Sequence, residues 1–433
     1  MKYLLTVSTI IILGVGFVFA DNTVTVNDTG ANNTAAYWQD GDGNAISFTQ
    51  SGSNNSADIT HYGNSNTAAI IQTQSGNDAV NVTFGDNNVF TVSQDGTSGL
   101  ADAFVSGDGN TTTVTQGSGT HKSTVLSAGD RNNVDIEQSG ISQVADIWNI
   151  GDDNTVGAVQ SGDGNMADVY HRGNGNSAMI TQAGVSGKAI HIAVGNSNAA
   201  TVTQGGGNAS ADLYTFGNYN DISVEQVAGV NMSSINVAIG ESNVISTLQS
   251  GDDNRVKTYA AGSGNELTVS QAGAGNFADL STFGRDDVLT VTQNTGDNSA
   301  DAVVIGNNNE AAITQTGTGN SADVYLKTGG ATATFSQTGN DNTGILVSVG
   351  VENSVVLNQD GASNFADLYQ NGEGNSLTVS QSGELNSLIV TQIGDGNTID
   401  FTQGIGTVEG GLFHGSQVYQ IGNGNTVTTA IRY

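Results

Sequence analysis

Apolar and polar residues alternate with a period of two along most of the chain, and each alternating run stops at a cluster of Gly and Asn. In VQSGDGNMADVYHRGNGNSAMITQ (Val159 to Gln182), Ala167 and Val169 follow Asn165 on one side, and Ala178, Ile180 and Gln182 follow Asn176 on one side. A period of two predicts a strand, whose successive side chains face opposite ways. Gly162 and Asn165 are echoed eleven residues later by Gly173 and Asn176, so the segment reads strand, turn, strand, turn. Glycine supplies the positive φ that such tight corners demand.

A glutamine sets a longer frame. Gln50, Gln72, Gln94, Gln116, Gln138, Gln160, Gln182, Gln204 and Gln226 recur every 22 residues, and Gln249, Gln271, Gln293, Gln315, Gln337, Gln359, Gln381 and Gln403 resume the frame after one inserted residue. That insertion is assigned to NMSSINVAIG, ahead of Gly240. With glutamine as position zero, position sixteen holds Asn44, Asn66, Asn88, Asn110, Asn132, Asn154, Asn176, Asn198, Asn220, Asn243, Asn265, Asn309, Asn353, Asn375 and Asn397, each three residues after a Gly. Position five holds Asn55, Asn77, Asn165, Asn231, Asn254, Asn276, Asn298, Asn320, Asn342, Asn364 and Asn386. A repeat of this length predicts a solenoid: all-β, parallel and in register, with about eighteen coils if a degenerate first coil around Asn33 and Asn44 is counted. Stacked coils about 4.8 Å apart place like residues above one another, so inward Gln and Asn columns become amide ladders with no buried amide left unpaired. Such ladders let a chain only 36% hydrophobic fold; disordered low-complexity sequence would not hold the frame.

Composition agrees. The chain has 60 Gly and no Pro, as expected where nearly every backbone N–H must donate within a ladder. It also has no Cys, leaving any oxidising destination unused. Residues 1–20, MKYLLTVSTIIILGVGFVFA, have the pattern of a secretory signal peptide cleaved after Ala20, leaving residues 21–433 as the repeat solenoid. No other apolar run approaches the roughly 18 residues of a membrane span. The formal charge of −31 becomes −32 when Lys2 leaves with the leader, which excludes nucleic acid as a natural partner and makes self-association depend on salt and pH.

The units QSGDGNMA (Gln160 to Ala167), QAGAGNFA (Gln271 to Ala278) and QTGTGNSA (Gln315 to Ala322) share Gln-x-Gly-x-x-Asn-x-Ala, a pattern that resembles the curlin repeat of curli subunits. The resemblance implies a secreted bacterial subunit that polymerises head to tail with itself into cell-surface functional amyloid fibres for adhesion and biofilm matrix. It implies as further partners a nucleating paralogue and an outer-membrane secretion system, and it implies no cofactor. Three departures stand out. Position five is Gly99, His121, Gln143, Gly187, Ala209 or Val408 in weaker coils, which predicts a broken ladder there, and position sixteen becomes Asp287 and Ala331. The repeats begin almost at once after Asp21, without the non-repeat stretch by which curli subunits engage the secretion pore. At the other end, Gln420, Gly422 and Asn425 reproduce the half-unit LYQNGEGN (Leu368 to Asn375) after about six inserted residues around EGGLFHGS. The last coil is therefore not a polar cap, and an uncapped stack offers open strand edges to another molecule.

Outward-facing residues offer candidate chemistry. Position eight holds Asp58, Asp102, Asp146, Asp168, Asp212, Asp279, Asp301, Asp323 and Asp367, an acidic column that fits either a gatekeeper against lateral sheet stacking or a weak divalent-cation site. The turns lack the GGxGxD series of calcium-binding nonapeptides. Thr113 with Thr115, Thr201 with Thr203 and Thr290 with Thr292 suggest an ice-ordering face, but Asp135 with Glu137 and Gly157 with Val159 interrupt it. Catalysis has little support: His61, His121, His171, His191 and His414 form no constellation, and His61 and His171 share position eleven five coils apart. The fibre subunit is thus the leading expectation; the alternative is a monomeric extracellular β-solenoid binding ice, calcium or carbohydrate.

Overall fold

The computed structural model describes residues 11–14, 21–404 and 414–432. Every regular element among them is a β-strand. The chain divides into two compact units, Met1–Asn218 and Tyr219–Tyr433. Both are parallel, in-register β-solenoid, together about 17 turns at ~22-residue spacing.

Each turn contributes one strand to each of two sheets. In the first unit Val144–Ile150, Met166–Arg172 and Lys188–Val194 pair in parallel with Ala145, Ala167 and Ala189 in line. The strands Asn133–Gln138, Thr155–Gln160 and Ser177–Gln182 form the opposite ladder and align their terminal glutamines. The second unit repeats the plan, for example in Phe277–Arg285 with Ser299–Asn307 and in Glu266–Ala272 with Val288–Asn294. Alternation buries every second side chain. Ala145, Ile147, Val134 and Ile136 in the first unit and Ala278, Leu280 and Leu289 in the second are 0% exposed, so the apolar core lies between the two sheets and is made of small and aliphatic side chains, with Phe48, Phe90, Phe335 and Phe401 as its largest members.

The corners explain the glycines. Gly85 has φ 114°, and a Cβ there would lie inside the van der Waals envelope of the Gly107 carbonyl oxygen in the next turn. Glycine is therefore required for backbone handedness and for close axial stacking together. The residue just before each ladder Asn is also left-handed, at Asn87 (φ 58°), Ser197 (φ 55°) and Asp253 (φ 55°) among others, which explains why short polar side chains alternate with Gly there.

Two details correct the sequence reading. The extra residue of the second unit is not in NMSSINVAIG. Gln226 aligns with Gln249 and Ala228 with Ser250, so Val227 bulges out of the strand Asp221–Ala228. Asn231 consequently leaves position five: it is an exposed turn residue with φ 58°, and Met232 takes the inward place at 1% exposed. Toward the C-terminus Gln392 aligns with Gln420 across 28 residues. The insertion up to residue 413, including Val408, lies outside the described residues. Of the expected leader, only Ile11–Gly14 is described, as a strand paired parallel to Thr34–Asp40.

Candidate functional site

The inward columns bind each turn to the next. Gln50 Nε2 donates to Gln72 Oε1 at 2.8 Å and to the Thr34 carbonyl at 3.0 Å, so both amide hydrogens are used. The same donor direction runs from Gln72 through Gln94, Gln116, Gln138, Gln160 and Gln182 to Gln204. In the second unit it runs from Gln226 through Gln249, Gln271, Gln293, Gln315, Gln337, Gln359 and Gln381 to Gln403, widening to 3.5 Å at the last step.

The asparagines work differently. At position sixteen each side-chain Oδ1 accepts the backbone N–H of the next turn's Asn. The series begins at Asn22, which the frame had not included, with Asn44 N donating to it at 2.7 Å. It continues through Asn66, Asn88, Asn110, Asn132, Asn154, Asn176 and Asn198. In the second unit it joins Asn220, Asn243 and Asn265, then later Asn353, Asn375, Asn397 and Asn425. Nδ2 commonly donates to the next turn's glycine carbonyl, as Asn66 does to Gly85 at 2.8 Å. Asp287 replaces Asn as an acceptor: its Oδ1 takes both the N–H and the Nδ2 of Asn309 at 2.9 Å. At Ala331 only the backbone N–H remains, donating to Asn309.

Position five is broken less than the substitutions suggested. Gln143 N donates to His121 Nδ1 at 3.3 Å and Gln143 Oε1 accepts from Asn165 N at 2.9 Å, so these two side chains carry the column. Gly99 and Gly187 still donate their backbone N–H to Asn77 and Asn165 but pass nothing on.

Buried amides are not all paired, contrary to the expectation from ideal stacking. Among the described residues Gln39 Nε2, Asn81 Nδ2, both amide atoms of Asn149, Asn154 Nδ2, Asn386 Oδ1 and Gln420 Nε2 lack partners, as do both ring nitrogens of His61, Nδ1 of His171 and the Ser127 hydroxyl. Most of these belong to position eleven, where Gln39, His61, Thr83, Val105, Ser127, Asn149, His171, Ala193 and Thr215 align in succession. Unlike neighbours cannot repeat one hydrogen bond, so this stretch of the column, from Gln39 to Thr215, forms no ladder.

Histidine is a buried strand residue here rather than an ordinary surface one. His61, His171 and His191 are at most 1% exposed. Desolvation pushes His61 and His171 down to about 4 and His191 well below its usual value. His61 and His171 do not meet, but His171 Nε2 lies 3.2 Å from His191 Nδ1, with Thr215 Oγ1 3.5 Å from His191 Nε2. This pair escaped a same-position comparison because it joins position eleven of one turn to position nine of the next.

The acidic column lies on the outer face. Asp58, Asp102 and Asp146 are separated by Val80 and Thr124, whereas Asp146 adjoins Asp168, and Asp279, Asp301 and Asp323 are consecutive. Asp212 and Asp367 align with Ile190 and Ile345. Partial desolvation, then the charge of Asp146, raises the Asp168 carboxyl; desolvation, then Asp279 and Asp323, raises Asp301. Lys188 and Lys257 relieve the repulsion, reaching Asp212 at 3.9 Å and Asp279 at 3.7 Å. Aromatic rings flank the column: Trp148 Nε1 donates to Asp146 at 2.9 Å, and Tyr62 stacks on Phe84 at 4.9 Å. Among the described residues no three His, Cys, Asp or Glu side chains converge as a metal-ligand set, and no helix is long and apolar enough to cross a membrane.

At the first strands of the first unit and the last strands of the second the core comes to the surface. Inward-facing Val24 and Val26 at one end and Val427 and Ile431 at the other are part-exposed, while Val134 and Ile136 at equivalent inner positions are fully buried.

Six stretches match the family model of the curlin associated repeat: residues 41–73, 151–184, 195–227, 284–317, 306–346 and 350–383. A comparison with curated proteins gives no match. The repeats fall in both units and coincide with the turns whose glutamines and asparagines stack, so the chain is a curlin-repeat protein, a member of the family that this repeat defines.

Proposed function

We propose that this protein is the secreted subunit of a curli-type fibre on a bacterial surface, where it polymerises head to tail and serves adhesion and biofilm matrix. The supporting observation is the pair of terminal strands Thr23–Asp28 and Thr426–Arg432, whose inward side chains, valines among them, are part-exposed where the equivalent interior ones are buried. Once the leader strand Ile11–Gly14 is removed from Thr34–Asp40, addition of another solenoid in the same register buries them and pairs the open sheet edges. Growth is templated because each incoming strand finds its side-chain columns already laid out. The aspartate column acts as gatekeeper, keeping sheet faces apart so that only ends join. A nucleating paralogue and an outer-membrane pore complete the export and assembly route.

The test is the assembly time course of residues 21–433, followed by amyloid-dye fluorescence with and without pre-formed seeds. A lag abolished by seeds is expected. A folded β-solenoid that stays monomeric at every concentration would overturn the fibre reading and turn attention to ice, calcium or carbohydrate at the threonine and aspartate faces.

A further inference from the structure

The glutamine ladder stops short of the first strand of the first unit and of the last strand of the second. Asp28 aligns with Gln50 at the first place, and Ile431 aligns with Gln403 at the last. Position eleven does the reverse. Its interior is His, Thr, Val, Ser, Asn, Ala and Leu, but glutamine stands at each extremity: Gln39 in the strand Thr34–Asp40, and Gln370, Gln392 and Gln420 in the last three strands of the same face. Gln370 donates to Gln392 at 2.8 Å and Gln392 to Gln420 at 2.9 Å. Gln420 Nε2 then has no partner, although the residue is only 4% exposed; Gln39, 8% exposed, also has an unpartnered Nε2.

Resting on the fibre reading above, we infer that Gln420 of one molecule donates to Gln39 of the next, so that position eleven forms its ladder across the junction between copies of this chain. Every Gln-to-Gln bond along the two columns runs from the lower-numbered residue to the higher. The C-terminal end therefore offers an amide N–H and the N-terminal end an amide oxygen, and two C-terminal ends would oppose donor to donor. The bond sets polarity. It also sets register: continuing the stack by one turn places Tyr419, 63% exposed, over Trp38, and Val427 over Val24. Inside the chain, covalent connection already holds neighbouring turns in register, so position eleven tolerates Val105 or Leu326. Between separate molecules no covalent link does this, and beside the asparagine column that runs from Asn22 to Asn425 a matched amide pair adds selectivity, because a slipped register buries both amides unpaired. In an uncleaved chain the strand Ile11–Gly14 lies on this same edge.

The experiment uses residues 21–433, the form export would release. The chain has no Cys, so Gln39→Cys with Gln420→Cys places one thiol at each end. In-register neighbours fall within the roughly 4.4–6.8 Å Cα span of a disulfide. Oxidised fibres should give a ladder of covalent dimers, trimers and longer species on a non-reducing gel, while Gln39→Cys with Tyr419→Cys, whose side chains face opposite ways, should run as monomer. If the double variant does not assemble, a one-to-one mixture of the two single variants grown on wild-type seeds should give disulfide dimers. Gln420→Leu should slow seeded elongation at least tenfold, with Ser127→Ala leaving it unchanged. Fibres without the Gln39–Gln420 cross-link, or with equal cross-linking in the control pair, overturn the junction and leave the fibre reading standing. A wild-type chain that never polymerises overturns both.

Discussion

The two units share a frame and differ in what fills it. Both carry the position-zero ladder and the glycine corners. At position eleven the first unit places His61, Ser127, Asn149 and His171, whereas the second places Ala238, Ala260, Thr282, Val304, Leu326 and Ser348 before its glutamines. Where the second unit uses a polar group it is paired: Thr282 donates to Asp287 at 2.7 Å and Ser348 to Gln370 at 3.3 Å. Among the described residues, Asn386 and Gln420 alone in the second unit hold partnerless buried side-chain atoms; all the others are in the first. All four histidines whose side chains are described also lie there. The frame thus sets the fold, and the filler sets local stability and its response to acid.

The sharpest way to break this comparison is to attack what the units share. Gly85→Ala and Gly317→Ala each add a Cβ against the next turn's carbonyl at a φ of 114°, so each should cost about 3 kcal/mol or more. Local hydrogen exchange around the substitution should report equal losses, and a loss in one unit alone would show that the frame is not common to both.

Acid should separate the units. A buried histidine whose folded value is lowered from 6.5 to about 4 stays neutral while the unfolded chain takes up a proton. Stability is therefore full above pH 6.5 and falls as pH drops toward 4, by up to about 3 kcal/mol for each of His61 and His171. Exchange compared at pH 7 and pH 4.5, corrected for intrinsic rates, should accelerate in Ser56–Tyr62 and Met166–Arg172 and hold steady in Ser299–Asn307. His171→Leu should flatten part of that response; an unchanged acid profile would mean the pair is hydrated and titrates normally.

Ladder and non-ladder polar groups should differ next. Asn298→Ala strands the Asn320 N–H it accepts and should cost about 1–3 kcal/mol, whereas Ser127→Ala removes a hydroxyl already without a partner and should be neutral or slightly stabilising. Denaturation midpoints decide this. The smallest effect belongs to the surface: Asp168→Asn relieves repulsion from Asp146 and should stabilise by well under ~1 kcal/mol at pH 7. Its sign with pH opposes that of histidine, because a raised carboxyl is a burden above its folded value that protonation removes. The variant's advantage should shrink as pH falls toward 3.8.

Much of this was legible because stacking makes the sequence compare itself. Gln138, Gln160 and Gln182 are neighbours in space for the reason that they are 22 apart in sequence. Contacts that leave the column were not legible. The His171–His191 pair spans 20 residues and two positions, and the counting that finds a repeat is blind to diagonals. The Val227 bulge was misplaced because a frame shift between Gln226 and Gln249 can be absorbed anywhere between them, and the ladder bonds fix Gln226 before the extra residue. The unpaired amides escaped because period alone cannot tell a column of like residues from a column of merely inward ones.

Hydrogen exchange of the end strands Thr34–Asp40 and His414–Ile421, in soluble chains and in fibres, tests most directly whether assembly continues these columns through the ends. Both strands should pass from fast exchange to the protection of Met166–Arg172 once fibres form, with outer-face side chains left accessible. End strands that exchange as fast in the fibre as in the soluble chain would contradict assembly through the ends.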